Sequence, residues 1–300
     1  MKRIFFWLPQ GRLGNLIFQH QAIRHLSAGG WVIALDSEFF DLFEKSPRFI
    51  VVPCPKMIRR YVAHMWVALL RWCARQNWIG LVQTERLVVF ESFTSESHII
   101  QWRTGKLGRV FLVTGFFQTP NFMHPLPQLK QTYFNGAEQQ LALVPKHKRV
   151  AIHIRFGDFL DWPVFGIPGA ACLPVTYYAN AMRLIESEIN APHYLVFSDD
   201  PGRALILLGE TDKPQNFAVI QSSSSAQDFA IIAACSHAII SASTFSWWTA
   251  TLITYPDKIL IAPEFWLGFQ KNIWYPPGIR GDQFTYILPD AQNETTPYQA

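Results

Sequence analysis

A cation and an imidazole stand together at the end of a short β-rich run, in the segment HIRFGD at residues 153–158. Alternate side chains of a strand share a face, so His153 and Arg155 point to one side of it. Arg155 falls at the carboxyl end, where open α/β sheets bind ligands, and its guanidinium can fork onto phosphate oxygens. Such a cation could stabilise a phosphate leaving group without a metal ion. The alternative is an Arg155–Asp158 ion pair on the surface beside a core histidine, and the pattern alone favours neither.

Two more polar clusters follow predicted strands in the same half of the chain. Asp199 and Asp200 suit a metal site, nucleotide contacts or helix caps, and Pro201 fits the first position of a helix. Since no D-x-D metal motif is present, we expect one carboxylate to contact a base or ribose and the other to cap the helix, with caps alone as the alternative. The segment SASTFSWW at residues 241–248 brings hydroxyl groups to a helix start, which favours phosphate or nucleotide binding. Its two tryptophans lie inside the helix, which favours a place in the core over a sugar platform.

A glycine-containing turn, GRLGN at residues 11–15, lies between the first predicted strand and a predicted helix. Glycine lets backbone N–H groups approach a ligand closely, and a helix N-terminus favours an anion. The turn is not the G-x-G-x-x-G of dinucleotide binding. A plain tight turn is the alternative.

The elements that must position these residues alternate between strand and helix. Strands are predicted at 4–8, 31–35, 150–154, 194–197, 217–220, 238–240 and 259–261, and helices at 16–26, 177–189, 204–208, 228–234 and 246–253. Short connections between them predict an α/β class, with mostly parallel sheets and helices on both faces. Ser225 with Asp228 predicts a capping box at one helix start.

The length of 300 residues, 49% of them apolar, suffices for one large core or two ordinary ones. We predict two Rossmann-like domains facing across a cleft, at 1–145 and 146–290, with a polar boundary at 146–149 and a disordered tail at 291–300. Three of the motifs, at 153–158, 198–200 and 241–248, then lie at carboxyl ends of strands in the second domain, and the turn at 11–15 lies at the equivalent place in the first. Binding of a nucleotide sugar in a cleft requires polar groups that converge in this way. Charged residues make up 16% of the chain, and the net charge of +4 suits an anionic ligand or membrane surface without demanding nucleic acid.

Cysteine usage and hydropathy predict a cytoplasmic protein. The four cysteines form no C-x-x-C pair, which favours reduced, mostly buried thiols over a structural zinc site. The apolar run at the N-terminus stops at Pro9, short of the roughly 7–15 residues of a signal peptide core. No apolar stretch reaches the roughly 18 residues of a spanning helix.

Residues 56–78 differ from the rest of the chain, because they contain five Lys or Arg residues and no acid, interleaved with aromatic and aliphatic side chains. A basic amphipathic helix rich in tryptophan can lie at an anionic membrane surface. The alternative is an ordinary helix whose apolar face packs on the sheet.

Five segments, at residues 11–15, 115–118, 153–158, 197–200 and 235–248, resemble in order the motifs of the bacterial α-1,2-fucosyltransferases. Their order and rough spacing match to about Tyr286. The resemblance implies a GT-B fold and a GDP-fucose donor held mainly by the C-terminal domain. It also implies inverting, metal-independent transfer to a sugar hydroxyl of a glycan or lipid-linked oligosaccharide, with galactose as the expected acceptor sugar.

The resemblance also implies roles for single residues. Arg155 matches the arginine that neutralises the β-phosphate, His153 supports the donor site, and Asn15 reaches the pyrophosphate. Asp199 or Asp228 reads the base or ribose. Further donor contacts are expected from Arg12, Gly14, Gly157, Asp158, Asp199, Asp228, Ser243, Thr244, Phe245 and Ser246. Acceptor contacts are expected from His20, Gln118 and Asp161, and the candidates for a base are Asp161, His20 and Glu38.

The chain departs from the family pattern at several positions. Phe156 stands where the family usually has a second arginine, Leu16 where it has Gln, Ala242 where Asn is common, and Thr249 where Gly is. Residues 163–174 also lack the His-Gly often found there. These changes leave open a different nucleotide sugar, a peptide hydroxyl acceptor, or a glycan- or nucleotide-binding protein without catalysis.

Overall fold

A computed structural model of the chain describes residues 2–54, 59–84, 100–160, 171–209 and 216–289. The chain divides into two compact units, the first ending at Lys130 and the second beginning at Gln131. Each unit contains one six-stranded sheet, which confirms the α/β class predicted from the sequence. No helix within the described ranges is long and apolar enough to cross a membrane.

The first unit orders its strands β3-β2-β1-β6-β4-β5, all parallel except β5, which runs antiparallel to β4. Its strands are β1 Ile4–Trp7, β2 Trp31–Leu35, β3 Phe49–Val52, β4 Gly80–Thr84, β5 Ile100–Arg103 and β6 Val110–Thr114. Its helices are α1 Leu13–Leu26, α2 Glu38–Leu42 and α3 Arg59–Arg75. Helix α1 begins earlier than predicted, so the end of the glycine-containing turn forms its first turn.

The second unit orders its strands β12-β11-β10-β7-β8-β9, all parallel. Its strands are β7 Arg149–Ile154, β8 His193–Ser198, β9 Phe217–Val219, β10 His237–Ile239, β11 Leu260–Pro263 and β12 Thr285–Ile287. Its helices are α4 Gln131–Gln140, α5 Val175–Glu188, α6 Pro201–Gly209, α7 Ser225–Ala233 and α8 Thr244–Thr251. Read from β9, this is the strand order of a dinucleotide-binding Rossmann sheet.

The second unit begins before the predicted boundary at 145/146, because α4 is tied to β7. The Arg149 guanidinium, buried at the start of β7, donates to Glu138 Oε2 of α4 at 2.7 Å and to the Leu141 carbonyl at 2.9 Å. Partial burial alone would raise the pKa of Glu138, but the hydrogen bond and charge of Arg149 hold it below its ordinary value. An uncompensated buried charge is costly, so this pair fixes α4 to the second sheet.

Helix α7 corrects one predicted cap. Its N-cap is Ser224, whose Oγ accepts a hydrogen bond from the backbone N–H of Gln227 at 3.3 Å. The predicted capping box of Ser225 with Asp228 is therefore wrong by one position, since Ser225 is already the first helical residue. Gln227 takes the place expected for the acid, and its Oε1 accepts from the Ser223 backbone N–H at 3.0 Å.

In both sheets the strand order reverses beside the first strand, between β1 and β6 and between β7 and β10. Open α/β sheets bind ligands beyond the carboxyl ends of strands at such a reversal. The segments 11–15 and 115–118 follow β1 and β6, and the segments 155–158 and 241–246 follow β7 and β10. The motifs noted in the sequence therefore gather at the reversal point of each unit's own sheet.

Candidate functional site

Arg155 follows β7 and holds its guanidinium between two carboxylates. Nη1 donates to Asp199 Oδ2 at 2.6 Å, and Nη2 donates to Asp158 Oδ1. The ring of Phe159 lies 5.7 Å from the guanidinium carbon. The Arg155 side chain is 13% exposed, whereas Asp158 is 54% exposed. The alternative ion pair between Arg155 and Asp158 is thus present. It engages Nη2 of the guanidinium, while Asp199 engages Nη1.

Asp199 organises the loop that carries Arg155. Its Oδ1 accepts from the Phe156 backbone N–H at 2.9 Å, while its Oδ2 binds Arg155. Gly157 lies against this pair with φ +40°, and a Cβ there would come within 2.6 Å of Asp199 Oδ2 and 3.1 Å of Arg155 Nη2. Glycine is therefore required both by the backbone and by the space. A contact of Asp199 with a base or ribose stays a prediction.

Asp200 caps helix α6, as one of the two acids was expected to do. Its Oδ1 accepts from the Arg203 backbone N–H at 3.0 Å. The Arg203 guanidinium carbon lies 5.7 Å from the ring centre of Phe156, the residue that departs from the family pattern. Arg203 is a second cation beside the Arg155 loop, and the sequence analysis missed it. A sequence signal for Arg203 was available, because this residue lies two positions after Pro201, in the first turn of the helix that follows the two acids.

His153 is buried on β7 and joins the ends of β7 and β10. Its Nδ1 lies 2.8 Å from Ser241 Oγ, and its ring centre is 5.5 Å from that of Phe245. Burial lowers the pKa of His153 to about 3, and the positive charge of Arg155 acts in the same direction. The imidazole is therefore neutral at physiological pH, and its contact with Ser241 joins the two strand ends.

The hydroxyl cluster at the start of α8 divides into exposed and buried parts. Ser243, Thr244 and Phe245 are partly exposed beside the end of β10. Ser246 is fully buried, and its hydroxyl lies 3.2 Å from the Ser241 carbonyl and 3.0 Å from the Ser243 carbonyl, so it stabilises the turn. The tryptophans at 247 and 248 are fully buried against each other, as the helical position predicted.

Asp228 lies on α7, whose neighbouring Phe229 contacts the Phe245 ring at 5.4 Å. Its Oδ1 is buried without a hydrogen-bond partner in the described part of the chain. Burial raises the pKa of Asp228, although a hydrogen bond with Ser222 opposes this. A carboxylate with an unused oxygen has the capacity to accept a hydrogen bond from a ligand.

The first unit brings together two residues that the sequence analysis had assigned to different ligands. Gln118 Nε2 donates to Asn15 Oδ1 at 2.7 Å. Gly11 has φ +80°, and a Cβ there would come within 2.7 Å of Asn15 Nδ2 and 3.2 Å of the Phe116 ring. Position 11 therefore requires glycine, because any Cβ there would clash with the Asn15 side-chain amide.

The other predicted residues of the first unit differ in how far they are buried. Gly14 is buried in the first turn of α1, whereas Arg12 and Glu38 are exposed. His20 is buried in an aromatic cage, with its ring centre 4.2 Å from that of Phe39 and 4.8 Å from that of Phe49. Burial lowers the pKa of His20 to about 3. His20 thus lies in the core of the first unit, and its contact with an acceptor stays a prediction.

Gln19 is a positioning residue that the sequence did not reveal. Its buried amide accepts from the Trp7 indole at 3.1 Å and donates to the Gln10 carbonyl at 2.6 Å. Gln10 Nε2 in turn donates to Thr114 Oγ1 at the end of β6 at 2.6 Å. This network fixes the turn before α1 against the end of β6.

Asp161, predicted as an acceptor residue or base, lies outside the described residues. Within the described ranges, no group of three His, Cys, Asp or Glu side chains could hold a metal ion. No disulfide links the four cysteines, three of which are buried. Burial raises the pKa of the Cys172 thiol to about 12, and the negative charge of Asp199 adds to the effect.

Residues 123–271 match the model of glycosyl transferase family 11. The matched segment contains β7, β8 and β10 with the Arg155 loop and the start of α8. It confirms the family resemblance that the motifs indicated.

Two curated relatives from Escherichia coli match a comparable length. The O-antigen biosynthesis glycosyltransferase WbnK is 36% identical over 121 residues, which cover 39% of this chain and 39% of WbnK. An alpha-1,2-colitosyltransferase is 29% identical over 129 residues, which cover 43% of this chain and 44% of that protein. The chain thus spans about two fifths of the length of these relatives.

Solved structures of low identity share the fold. POFUT1 in complex with GDP-fucose aligns with a TM-score of 0.52 at 13% identity, over 86% of this chain and 97% of that one. The E. coli ADP-heptose lps heptosyltransferase II aligns with a TM-score of 0.50 at 12% identity, over 96% of this chain and 90% of that one. These likenesses support the predicted GT-B class of two Rossmann-like units.

Proposed function

We propose that this chain transfers L-fucose from GDP-fucose to a sugar hydroxyl, in α-1,2 linkage, with inversion at the anomeric carbon and without a metal ion. The observation that carries the proposal is the position of Arg155. Its guanidinium follows β7 at the strand reversal of the unit that contains most of the family match, beside a neutral histidine and a helix start rich in hydroxyls. A sugar diphosphate needs a fixed cation of this kind.

Arg155 has donors to spare for a phosphate. A guanidinium carries five N–H groups, and the contacts with Asp199 and Asp158 occupy one on each terminal nitrogen. Asp158 is more than half exposed, so water can take over its side of the ion pair when a phosphate approaches. Asp199 is less exposed and also binds backbone, and it keeps the guanidinium oriented. The cation is thereby pre-organised.

In the proposed reaction the acceptor hydroxyl oxygen forms a bond to fucose C1 on the face opposite GDP, and the acceptor proton passes to water. Meanwhile the bond between C1 and the β-phosphate oxygen breaks through a loose, oxocarbenium-like transition state. Negative charge grows on the β-phosphate, and Arg155 stabilises it more in the transition state than in the ground state. His153 contributes no charge of its own, because its low pKa keeps it neutral. The acceptor hydroxyl loses its proton late, so the demand on a base is small.

The names of the relatives support both the linkage and one competing donor. One relative is named for O-antigen biosynthesis, which suits a glycan or lipid-linked oligosaccharide acceptor. The other is named an α-1,2-colitosyltransferase, and this favours GDP-colitose as the second candidate donor. The two candidates share the GDP moiety and the linkage and differ in the sugar.

The test is to measure GDP release from GDP-fucose by the purified chain with a β-galactoside acceptor, in the presence and absence of EDTA. We expect turnover that EDTA leaves unchanged and a product in which NMR shows an α linkage to the galactose 2-hydroxyl. GDP-colitose, GDP-mannose and UDP-galactose, tested in parallel, rank the donors. Binding of GDP without turnover on any acceptor of a glycan panel would contradict the proposal and favour a binding protein.

A further inference from the structure

Helix α3 of the first unit has apolar side chains on two opposite faces. Its inner face packs on the sheet, where Leu70 and Ala74 are buried with Leu8, Ile79 and Leu112. This confirms the packing that an ordinary domain helix requires. Such a helix should then be polar on its opposite face, because that face meets water.

The outer face of α3 is apolar instead. Tyr61 is 76% exposed and Met65 66% exposed, and Leu69 and Trp72 are each about half exposed. At 100° per residue these four side chains fall within an arc of roughly 100° opposite Leu70. We call this set, together with Trp78 and Leu107, the outer stripe.

Trp78 and Leu107 extend the outer stripe beyond the end of the helix. The Trp78 ring contacts Trp72 edge to face at 5.1 Å. The loop that bears Leu107 is fixed beside it, because the Leu107 backbone N–H donates to the Trp78 carbonyl at 2.9 Å. Trp78 is about half exposed, and Leu107 is 60% exposed. The stripe is therefore continuous across two segments of the first unit and is held by backbone hydrogen bonds.

Cationic side chains border the stripe. Arg71 and Arg75 are exposed on α3 at the edge of the apolar arc, and the exposed Lys106 adjoins Leu107. Residues 59–84 contain no acidic residue. A partner for this surface must therefore offer an apolar phase and negative charge together. A symmetric contact between two copies at the stripe offers no such charge, because it would oppose arginine to arginine.

We propose that the outer stripe binds the surface of an anionic lipid bilayer. Tryptophan and tyrosine rings favour the boundary between headgroups and acyl chains, where Trp72, Trp78 and Tyr61 would lie. Met65, Leu69 and Leu107 enter the acyl region, while Arg71, Arg75 and Lys106 meet anionic headgroups. The helix lies in the plane of the surface, with its inner face still on the sheet. This inference rests on the first unit alone and is independent of the proposed transfer reaction.

Flotation with vesicles tests the proposal. The purified chain should float with vesicles of phosphatidylcholine and phosphatidylglycerol, much less with phosphatidylcholine alone, and less with the anionic vesicles at high salt. Met65→Ser/Leu69→Ser/Trp72→Ser should abolish flotation. The matched control is Leu143→Ser/Ile206→Ser, at two exposed apolar side chains of the second unit that are not part of the stripe, and this variant should float as the unaltered chain does.

A second pair of variants isolates the charge. Arg71→Gln/Arg75→Gln should lower binding to anionic vesicles by roughly fivefold for each arginine removed. Arg183→Gln/Lys271→Gln, which removes the same net charge from exposed positions of the second unit, should leave binding unchanged. If circular dichroism shows that the triple serine variant does not fold, the comparison of these two charge variants tests the proposal by itself.

Three outcomes would overturn the proposal. The first is an unaltered chain that does not float with anionic vesicles. The second is flotation that neither the stripe variant nor the arginine variant reduces. The third is a dimer, measured by light scattering, that the serine variant converts to a monomer, because the stripe would then be a contact between copies.

Discussion

Arg155 donates two of its N–H groups to two carboxylates, one close to it in sequence and one far from it. Asp158 is three residues away, and the sequence offered that ion pair directly. Asp199 is on the loop after β8, and only the parallel pairing of β7 with β8 brings it within 2.6 Å. The sequence analysis therefore identified the cation and one partner, but it assigned Asp199 to a base or ribose. Gly157 must lack a Cβ because Asp199 lies against it. The motif alone does not predict this requirement, since it depends on the pairing of β7 with β8.

Arg155→Ala should lower kcat by about 10²–10³, by comparison with the roughly 2.7–4 kcal/mol lost with one oxyanion-hole donor. The reason is twofold, since the β-phosphate loses its cation and then faces two uncompensated carboxylates. Arg155→Lys should recover only part of the rate, because an ammonium cannot fork onto both Asp199 and a phosphate. The measurement is steady-state GDP release, with Arg183→Ala on α5 as the control. Near-normal turnover of Arg155→Ala would remove the basis of the proposed function.

The buried histidines should make the protein less stable in acid. His20 and His153 each have a folded pKa of about 3, below the unfolded value of 6.5. The unfolded chain therefore takes up protons first as the pH falls through 6.5, and this favours unfolding. Between pH 7 and pH 5 each histidine should cost roughly 2 kcal/mol of unfolding free energy.

His20→Phe isolates one of these two contributions. The variant should lose less stability than the unaltered chain when urea unfolding is repeated at pH 5, whatever its stability at pH 7. His25→Gln, at an exposed position of the same helix, is the control and should leave the pH dependence unchanged. An equal loss of stability in His20→Phe and in the unaltered chain would show that His20 is not the group responsible.

At the scale of elements, five of the six strands of the second unit could be predicted, and among them β7, β8 and β10 are short runs of largely buried residues between turn signals. Strand β12 was not predicted, and none of its three residues is fully buried. The strands of the first unit were harder to predict. Strands β3 to β6 lay between residues 35 and 150, where the sequence analysis assigned no strand. Three of the four residues of β5 are exposed, and an edge strand of that kind lacks the apolar run on which such a prediction depends.

Helix α7 offers a test of its cap. Ser224→Ala should lower the unfolding free energy by about 1 kcal/mol, because the Gln227 backbone N–H loses its side-chain acceptor at the helix start. Ser225→Ala, one residue further on, is the matched control and should cost little, since alanine is well tolerated in the first turn. Urea unfolding of both variants makes the comparison. A larger loss for Ser225→Ala would restore the cap that the sequence suggested.

For the whole molecule, the sequence predicted two α/β units but placed their boundary too late. The polar residues at 146–149 favour a domain boundary there, yet Arg149 is buried and bound to α4 and to the Ala234 carbonyl. A basic residue in a polar stretch carries no sign of such burial, because no local pattern marks its partners, which lie 8, 11 and 85 residues away. The family match, which begins at residue 123, likewise runs across the predicted boundary.

The division of the chain into units has a consequence for nucleotide binding. If the donor is held mainly by the second unit, GDP should stabilise the chain by RT ln(1 + [GDP]/Kd), about 2.7 kcal/mol at a hundred times Kd. Arg155→Ala should lose most of the resulting rise in Tm, because the guanidinium binds the diphosphate. Asn15→Ala should keep most of it while lowering turnover, since its amide is paired with Gln118 in the first unit.

Differential scanning calorimetry with and without GDP makes this comparison, and UDP controls for binding of any nucleotide diphosphate. The three chains must first show the same secondary structure, so that a lost shift reports binding and not misfolding. If Asn15→Ala lost the GDP-induced shift as fully as Arg155→Ala did, the second unit could not be the principal holder of the donor. A shift retained by both variants would instead place the diphosphate contacts on other groups, of which Arg203 beside Phe156 is the first to test.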